Sequence, residues 1–127
     1  MKRLRVLDVS RNELIELPSS FGRLDRLEEF YATKNEIRKL KESFASRLVS
    51  LRTLNLDHNS ISTLPHCFTQ LKALQYCDLS YNNLSELPPA IGRLEMLDTI
   101  HLRKNLLSWR SIPMGPQGTL HASPAPP

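Results

Sequence analysis

Asp78 and His101 lie 23 residues apart in a chain whose pattern recurs at that interval, so the two stand side by side on neighbouring segments. A carboxylate beside an imidazole favours the charged ring and is the usual start of acid–base chemistry. No nucleophile shares their register, however, and an open sheet gives them no closed pocket from which water is excluded. The other metal-capable residues, His58, His66, Cys67 and Cys77, follow neither a C-x-x-C nor an H-x-x-x-H spacing and point to different faces. Four scattered glycines make no phosphate-cradling loop. The expectation is therefore no enzyme, no cofactor and no metal. What remains is recognition chemistry. Tyr31, Tyr76 and Tyr81 offer large area with a polar tip, the kind of side chain enriched where proteins bind proteins. Asp78, His101 and Arg103 form a charged flank beside them.

The elements that position these residues are read from five asparagines. Asn12, Asn35, Asn59, Asn82 and Asn105 recur at intervals of 23, 24, 23 and 23 residues. Each closes the phrase L-x-x-(apolar)-x-(apolar)-x-x-N, as in LRVLDVSRN and LQYCDLSYN. Such a period means stacked copies of one unit rather than a core of unrelated elements. Aligned on the asparagines, the units run 4–26, 27–50, 51–73 and 74–96, with an incomplete one over 97–110. Apolar residues at the fourth and sixth positions alternate as in a short strand with one buried face. Five such strands side by side make a parallel sheet about 20 Å across at ~4.8 Å per strand. The asparagine amide can satisfy the turn's backbone groups, so the five should form a structural ladder.

A second apolar set follows each asparagine, and Pro18, Pro65 and Pro88 close it in three of the four complete units. Phe21, Phe44, Phe68 and Ile91, then Leu24, Leu48, Leu71 and Leu94, fit one short helical turn facing inward. Ser19 and Ser20 are the expected N-caps. Columns of side chains between the buried ones project from the opposite side of the sheet. The third positions read Val6, Glu29, Thr53, Tyr76, Thr99 and the fifth read Asp8, Tyr31, Asn55, Asp78, His101. The seventh read Ser10, Thr33, Asp57, Ser80, Arg103 and the eighth Arg11, Lys34, His58, Tyr81, Lys104.

Residues 4 to about 107 resemble the leucine-rich repeat family, most clearly in LRVLDVSRNELIELPSSFGRL and LQYCDLSYNNLSELPPAIGRL. The Leu-Pro closing resembles the intracellular Ras-group and polarity-scaffold subtype. The resemblance implies an α/β solenoid, curved, with short parallel strands on the concave face and short helical or irregular turns on the convex face. It also implies a protein partner on the strand side and a scaffold role in signal transduction.

The unit pattern breaks in two places. Lys41 replaces the proline in the second unit, which also carries an extra residue in FASRLVS; this loosens the convex segment and leaves the strand register intact. The fifth unit loses the pattern after Leu107, where Ile112-Pro113 stands in for the usual Leu-Pro and Trp109 folds over the open end of the core. The domain is thus expected over residues 1–110, with residues 111–127 a Pro-rich disordered tail holding five of the nine prolines and no charged side chain. Its P-x-x-P spacings, Pro113 to Pro116 and Pro124 to Pro127, lack the basic neighbourhood of an SH3 ligand, only Arg110 being close.

Met1, Lys2 and Arg3 are too short to cap the first unit, so its strand begins with an unpaired edge. Uncapped ends imply a fragment, short isoform or truncated gene product of a longer repeat protein, or end-to-end self-association. The formal charge of +4 is spread among acidic residues, against the single basic face of a nucleic-acid binder. No apolar run reaches the roughly 18 residues of a membrane span, and the N-terminus has no secretory apolar core. The sequon Asn83-Leu84-Ser85 is then fortuitous. Cys67 and Cys77 fall on different faces and read as reduced thiols, which points to a cytoplasmic or nuclear location.

Overall fold

The computed structural model describes residues 3–42, 44–45 and 47–107, and the backbone alone of 121–124. Each unit contributes one short strand: β1 (Val6–Asp8), β2 (Glu29–Tyr31), β3 (Thr53–Asn55), β4 (Tyr76–Asp78) and β5 (Thr99–Leu102). All neighbours are parallel and lie in chain order, each joined to the next by a connection over the convex side. The fourth-position residues face inward, and Phe30, Leu54, Cys77 and Ile100 are all buried. Leu7 on β1 is only half-buried, because its strand is the open edge of the sheet.

A left-handed residue follows each strand by two or three residues and turns the chain away. Arg11, Lys34, His58, Tyr81 and Lys104 have φ of 60°, 59°, 57°, 57° and 59°. Each immediately precedes a ladder asparagine. For a residue with a Cβ this conformation costs roughly 1 kcal/mol or more, so the packing of every unit must hold it in place.

The asparagines supply much of that hold, and each does so by reaching back to the preceding unit. Asn59 Nδ2 donates to Ala32 O (2.9 Å) and to Leu56 O (2.9 Å), while its Oδ1 accepts from Ile37 N (3.0 Å). Asn82 repeats this on Leu56 O (3.0 Å) and Ile61 N (3.0 Å), and Asn105 on Leu79 O (2.8 Å) and Leu84 N (2.9 Å). Asn35 donates to Val9 O (3.1 Å) and accepts from Leu14 N (3.1 Å). Asn12, in the first described unit, binds Val9 O (2.7 Å) and Ser10 O (3.2 Å) within its own turn.

The convex side carries 3-10 turns at Ser19–Arg23, His66–Gln70 and Pro89–Arg93. The N-cap positions expected for serine are held by proline instead. Pro18, Pro65 and Pro88 occupy the N-cap positions with no side-chain cap bond, and their carbonyls accept from Phe21, Phe68 and Ile91 N at 3.0 Å each. Proline's fixed φ sets the chain's direction into the turn without a capping side chain. The second unit, with Lys41, has turns but no 3-10 helix among its described residues. Its extra residue is absorbed there: Glu29 still pairs with Thr53 in the same strand register. Phe21 bridges these layers, its ring 4.5 Å from Phe30 and 5.5 Å from Phe44.

Of the segment expected as a tail, residues 111–127, four residues are described. His121–Pro124 form β6, a sixth parallel strand, with Thr99 opposite His121 and Leu102 opposite Pro124. A strand edge left unpaired by β5 is a ready template, and a charge-free extended segment suits it. Met1, Lys2, Trp109, Arg110, Ile112-Pro113 and the spacing from Pro113 to Pro116 lie outside the described residues.

Candidate concave interaction face

Strand register brings the singled-out residues into two neighbourhoods. On the strands, Asp8, Tyr31, Asn55, Asp78 and His101 stand opposite one another in sequence across β1 to β5. Tyr31 and Tyr76 are half-buried there. Tyr31 Oη donates to Glu29 Oε1 at 2.6 Å, and this bond, reinforced by burial and by the carboxylates of Glu29 and Asp8, raises its pKa above the ordinary tyrosine value. Burial raises that of Tyr76, with Asp78 and Asp57 adding to it.

Asp78 and His101 are adjacent but do not pair as the spacing implies. The Asp78 carboxylate turns along its own chain, accepting from Ser80 N at 2.9 Å. The imidazole instead meets the edge of Tyr76, with ring centroids 5.4 Å apart and planes at 66°. Aspartate is short enough to close a turn on its own backbone two residues on, which removes it from its neighbour. Asp8 does the same with Ser10 N at 2.9 Å, and that bond lowers its pKa.

Tyr81 belongs to a second neighbourhood, at the rim where the strands end. Its ring stacks on His58 at 4.2 Å and 11°, although both residues are exposed. His58 Nδ1 meets Asp57 Oδ2 at 2.7 Å, and Asp57 Oδ1 accepts from Thr33 Oγ1 at 2.8 Å. Tyr81 N donates to Arg103 O at 2.9 Å, so the backbone of Arg103 sits on the adjoining rung, with Lys104 next to it. His58 was visible in the eighth-position column but its stacking was not: the stack depends on both residues taking the left-handed conformation, which spacing does not reveal.

Cys67 and Cys77 are free, buried thiols. Burial raises the pKa of each, far more for Cys77. Among the described residues no three His, Cys, Asp or Glu side chains are placed to hold a metal ion, and no helix is long and apolar enough to cross a membrane. A different surface lies at the first-unit end. There Leu7, Val9, Leu14, Leu17, Phe21 and Leu24 line an apolar groove of about 550 Å³ beside the open edge of β1.

Family models described as leucine rich repeat match residues 3–24 and 26–84. Among curated proteins, the chain is 37% identical over 65 residues to a probable serine/threonine-protein kinase of Dictyostelium discoideum, covering 51% of this chain and 5% of that protein. It is also 37% identical over 75 residues to leucine-rich repeat-containing G-protein coupled receptor 5 of Rattus norvegicus, covering 58% of this chain and 8% of the receptor. The chain therefore spans less than a tenth of either relative's length. A solved LRR protein of Leptospira interrogans superposes with a TM-score of 0.73 at 28% identity, over 87% of this chain and 34% of the other.

Proposed function

Because the chain belongs to the leucine-rich repeat family, we propose that it is a non-enzymatic protein-interaction module holding a protein partner on its concave strand face. Proteins of this fold generally mediate protein–protein interaction. The observation that carries the reading is the arrangement of Tyr31 and Tyr76 on the strands and Tyr81 at the rim, with Asp78, His101 and Arg103 around them. Aromatic side chains pre-ordered by neighbours lose little freedom on binding, which is what makes them effective anchors. With five strands the face offers about the 800 Å² per partner of a standard interface. The free thiols support a reducing compartment, the cytoplasm in this reading, and a signalling scaffold is the role in keeping with it.

The test is affinity capture from cell extract with the Tyr76→Ala/Tyr81→Ala variant as control. Capture should weaken while the circular dichroism spectrum stays unchanged; capture that survives the double change places the site elsewhere. A second reading, a repeat segment whose first-unit end stacks against another repeat or a second copy, draws on the apolar groove beside β1. Light scattering after size exclusion separates the two, since stacking predicts oligomers and a free module predicts monomers.

A further inference from the structure

We propose that the rim formed by the third to fifth rungs binds an acidic segment of a protein partner, one that also carries an apolar side chain. The site is His58, Tyr81, Arg103, Lys104 and Leu106. It deepens the concave-face reading and rests on it.

The eighth position of every unit is left-handed, the conformation that glycine or asparagine adopts most cheaply. Yet the five residues there are Arg, Lys, His, Tyr and Lys. Large basic and aromatic side chains at a position that strains them serve something other than the turn, and a strained residue is a pointer to function. All five are exposed.

Charge then selects the part of the rim that is used. On the first two rungs Arg11 and Lys34 are followed, just past the asparagine, by Glu13 and Glu36. On the next three the equivalent residues are Ser60, Asn83 and Leu106, none of them acidic. Asp57 is the acid nearest His58, and both its oxygens are committed, one to Thr33 and one to His58 itself. Asp78 lies two residues before Ser80 on the strand side and is likewise bound to its own chain. Arg103 and Lys104, both exposed, make no ion pair among the described residues.

Apolar area completes the surface. Leu106 is 70% exposed and Tyr81 40%, two of the few large apolar side chains open to solvent. The stacked His58–Tyr81 pair provides a flat platform beside the two cations. A carboxylate placed on Arg103 or Lys104 and an apolar side chain over Tyr81 and Leu106 would match it. A nucleic acid would instead meet the carboxylates of Glu13, Glu36, Asp57 and Asp78 along the same face, which favours a peptide of limited charge.

The experiment titrates the full chain into two short fluorescein-labelled peptides and reads anisotropy. One peptide is built from Glu, Asp, Leu and Phe; the other has Lys at every acidic position. The acidic peptide should bind and the lysine peptide should not, and raising salt should weaken the acidic complex several-fold. Arg103→Glu/Lys104→Glu should weaken it about tenfold or more and confer binding of the lysine peptide. Failure of the acidic peptide to bind, or equal binding by the charge-reversed variant, overturns the proposal. If Tyr76→Ala/Tyr81→Ala loses the acidic peptide while the charge-reversed variant keeps it, the charge assignment falls and the concave face stands. If neither variant loses it, both fall. A labelled oligouridine bound more tightly than the acidic peptide, and lost on charge reversal, identifies a nucleic-acid rim and overturns the proposal too.

Discussion

Asn59 commits its amide to four backbone groups on two units, whereas Asn12 reaches only its own turn. That difference gives two alanine substitutions unequal effects. Asn59→Ala leaves Ile37 N without a partner in the interior, while Ala32 O and Leu56 O each lose one of two amide donors and keep Asn35 and Asn82. An unmet buried N–H costs about 1–3 kcal/mol, so a loss of about 2 kcal/mol is expected. Asn12→Ala, at an exposed site, should lose about 1 kcal/mol or less. Urea unfolding of the two variants checks this, and equal losses would mean that the inter-unit bonds contribute nothing. The tyrosines give a pH dependence of definite sign. Tyr31 and Tyr76 hold their protons more tightly in the fold than in the unfolded chain. Their contribution to stability is therefore complete below the ordinary tyrosine pKa of about 10 and declines as pH rises through the raised folded value. Thermal melts at rising alkaline pH should show this decline, and Tyr31→Phe/Tyr76→Phe should flatten it.

At the scale of elements, the second unit shows what the closing proline does. Phe44 N donates to Lys41 O at 2.9 Å, as Phe21 N does to Pro18 O. The backbone already runs as though a proline were present, and no described backbone acceptor takes the Lys41 N–H. Lys41→Pro should therefore stabilise by about 0.5 kcal/mol through the unfolded chain, at the expense only of an exposed contact to Glu16 at 3.8 Å. A lowered denaturant midpoint would show instead that Lys41 takes a different φ. The strands were legible in the sequence because burial at the fourth and sixth positions forces alternation, and Phe30, Leu54 and Cys77 follow it. The convex turns were legible as helical but not as 3-10, since a five-residue turn fits either spacing. The serine caps were misread because Ser and Pro are adjacent and only the backbone decides which is the cap. Of the face, the columns were visible in the spacing. The Tyr76–His101 and His58–Tyr81 contacts were not, because they depend on side-chain direction at the ends of strands.

For the molecule as a whole, the two ends differ. The first-unit end presents an open strand edge and an apolar groove, while β6 pairs with β5 at the other. Truncation after Leu107 should leave β5 as an edge, speed amide exchange at Thr99–Leu102 and increase association; unchanged exchange would show that β6 contributes no protection. The asparagine ladder has a further consequence for how the stack comes apart. Stripping away the first unit frees one bond of the Asn35 amide and also uncovers main-chain groups, among them Glu36 N and Arg38 N. Stripping away the fifth uncovers Leu84 N, while Leu79 O keeps the amide of Asn82. Parting any two units thus exposes main-chain groups on both sides of the cut, and the shared amides tie neighbouring rungs into one cooperative stack.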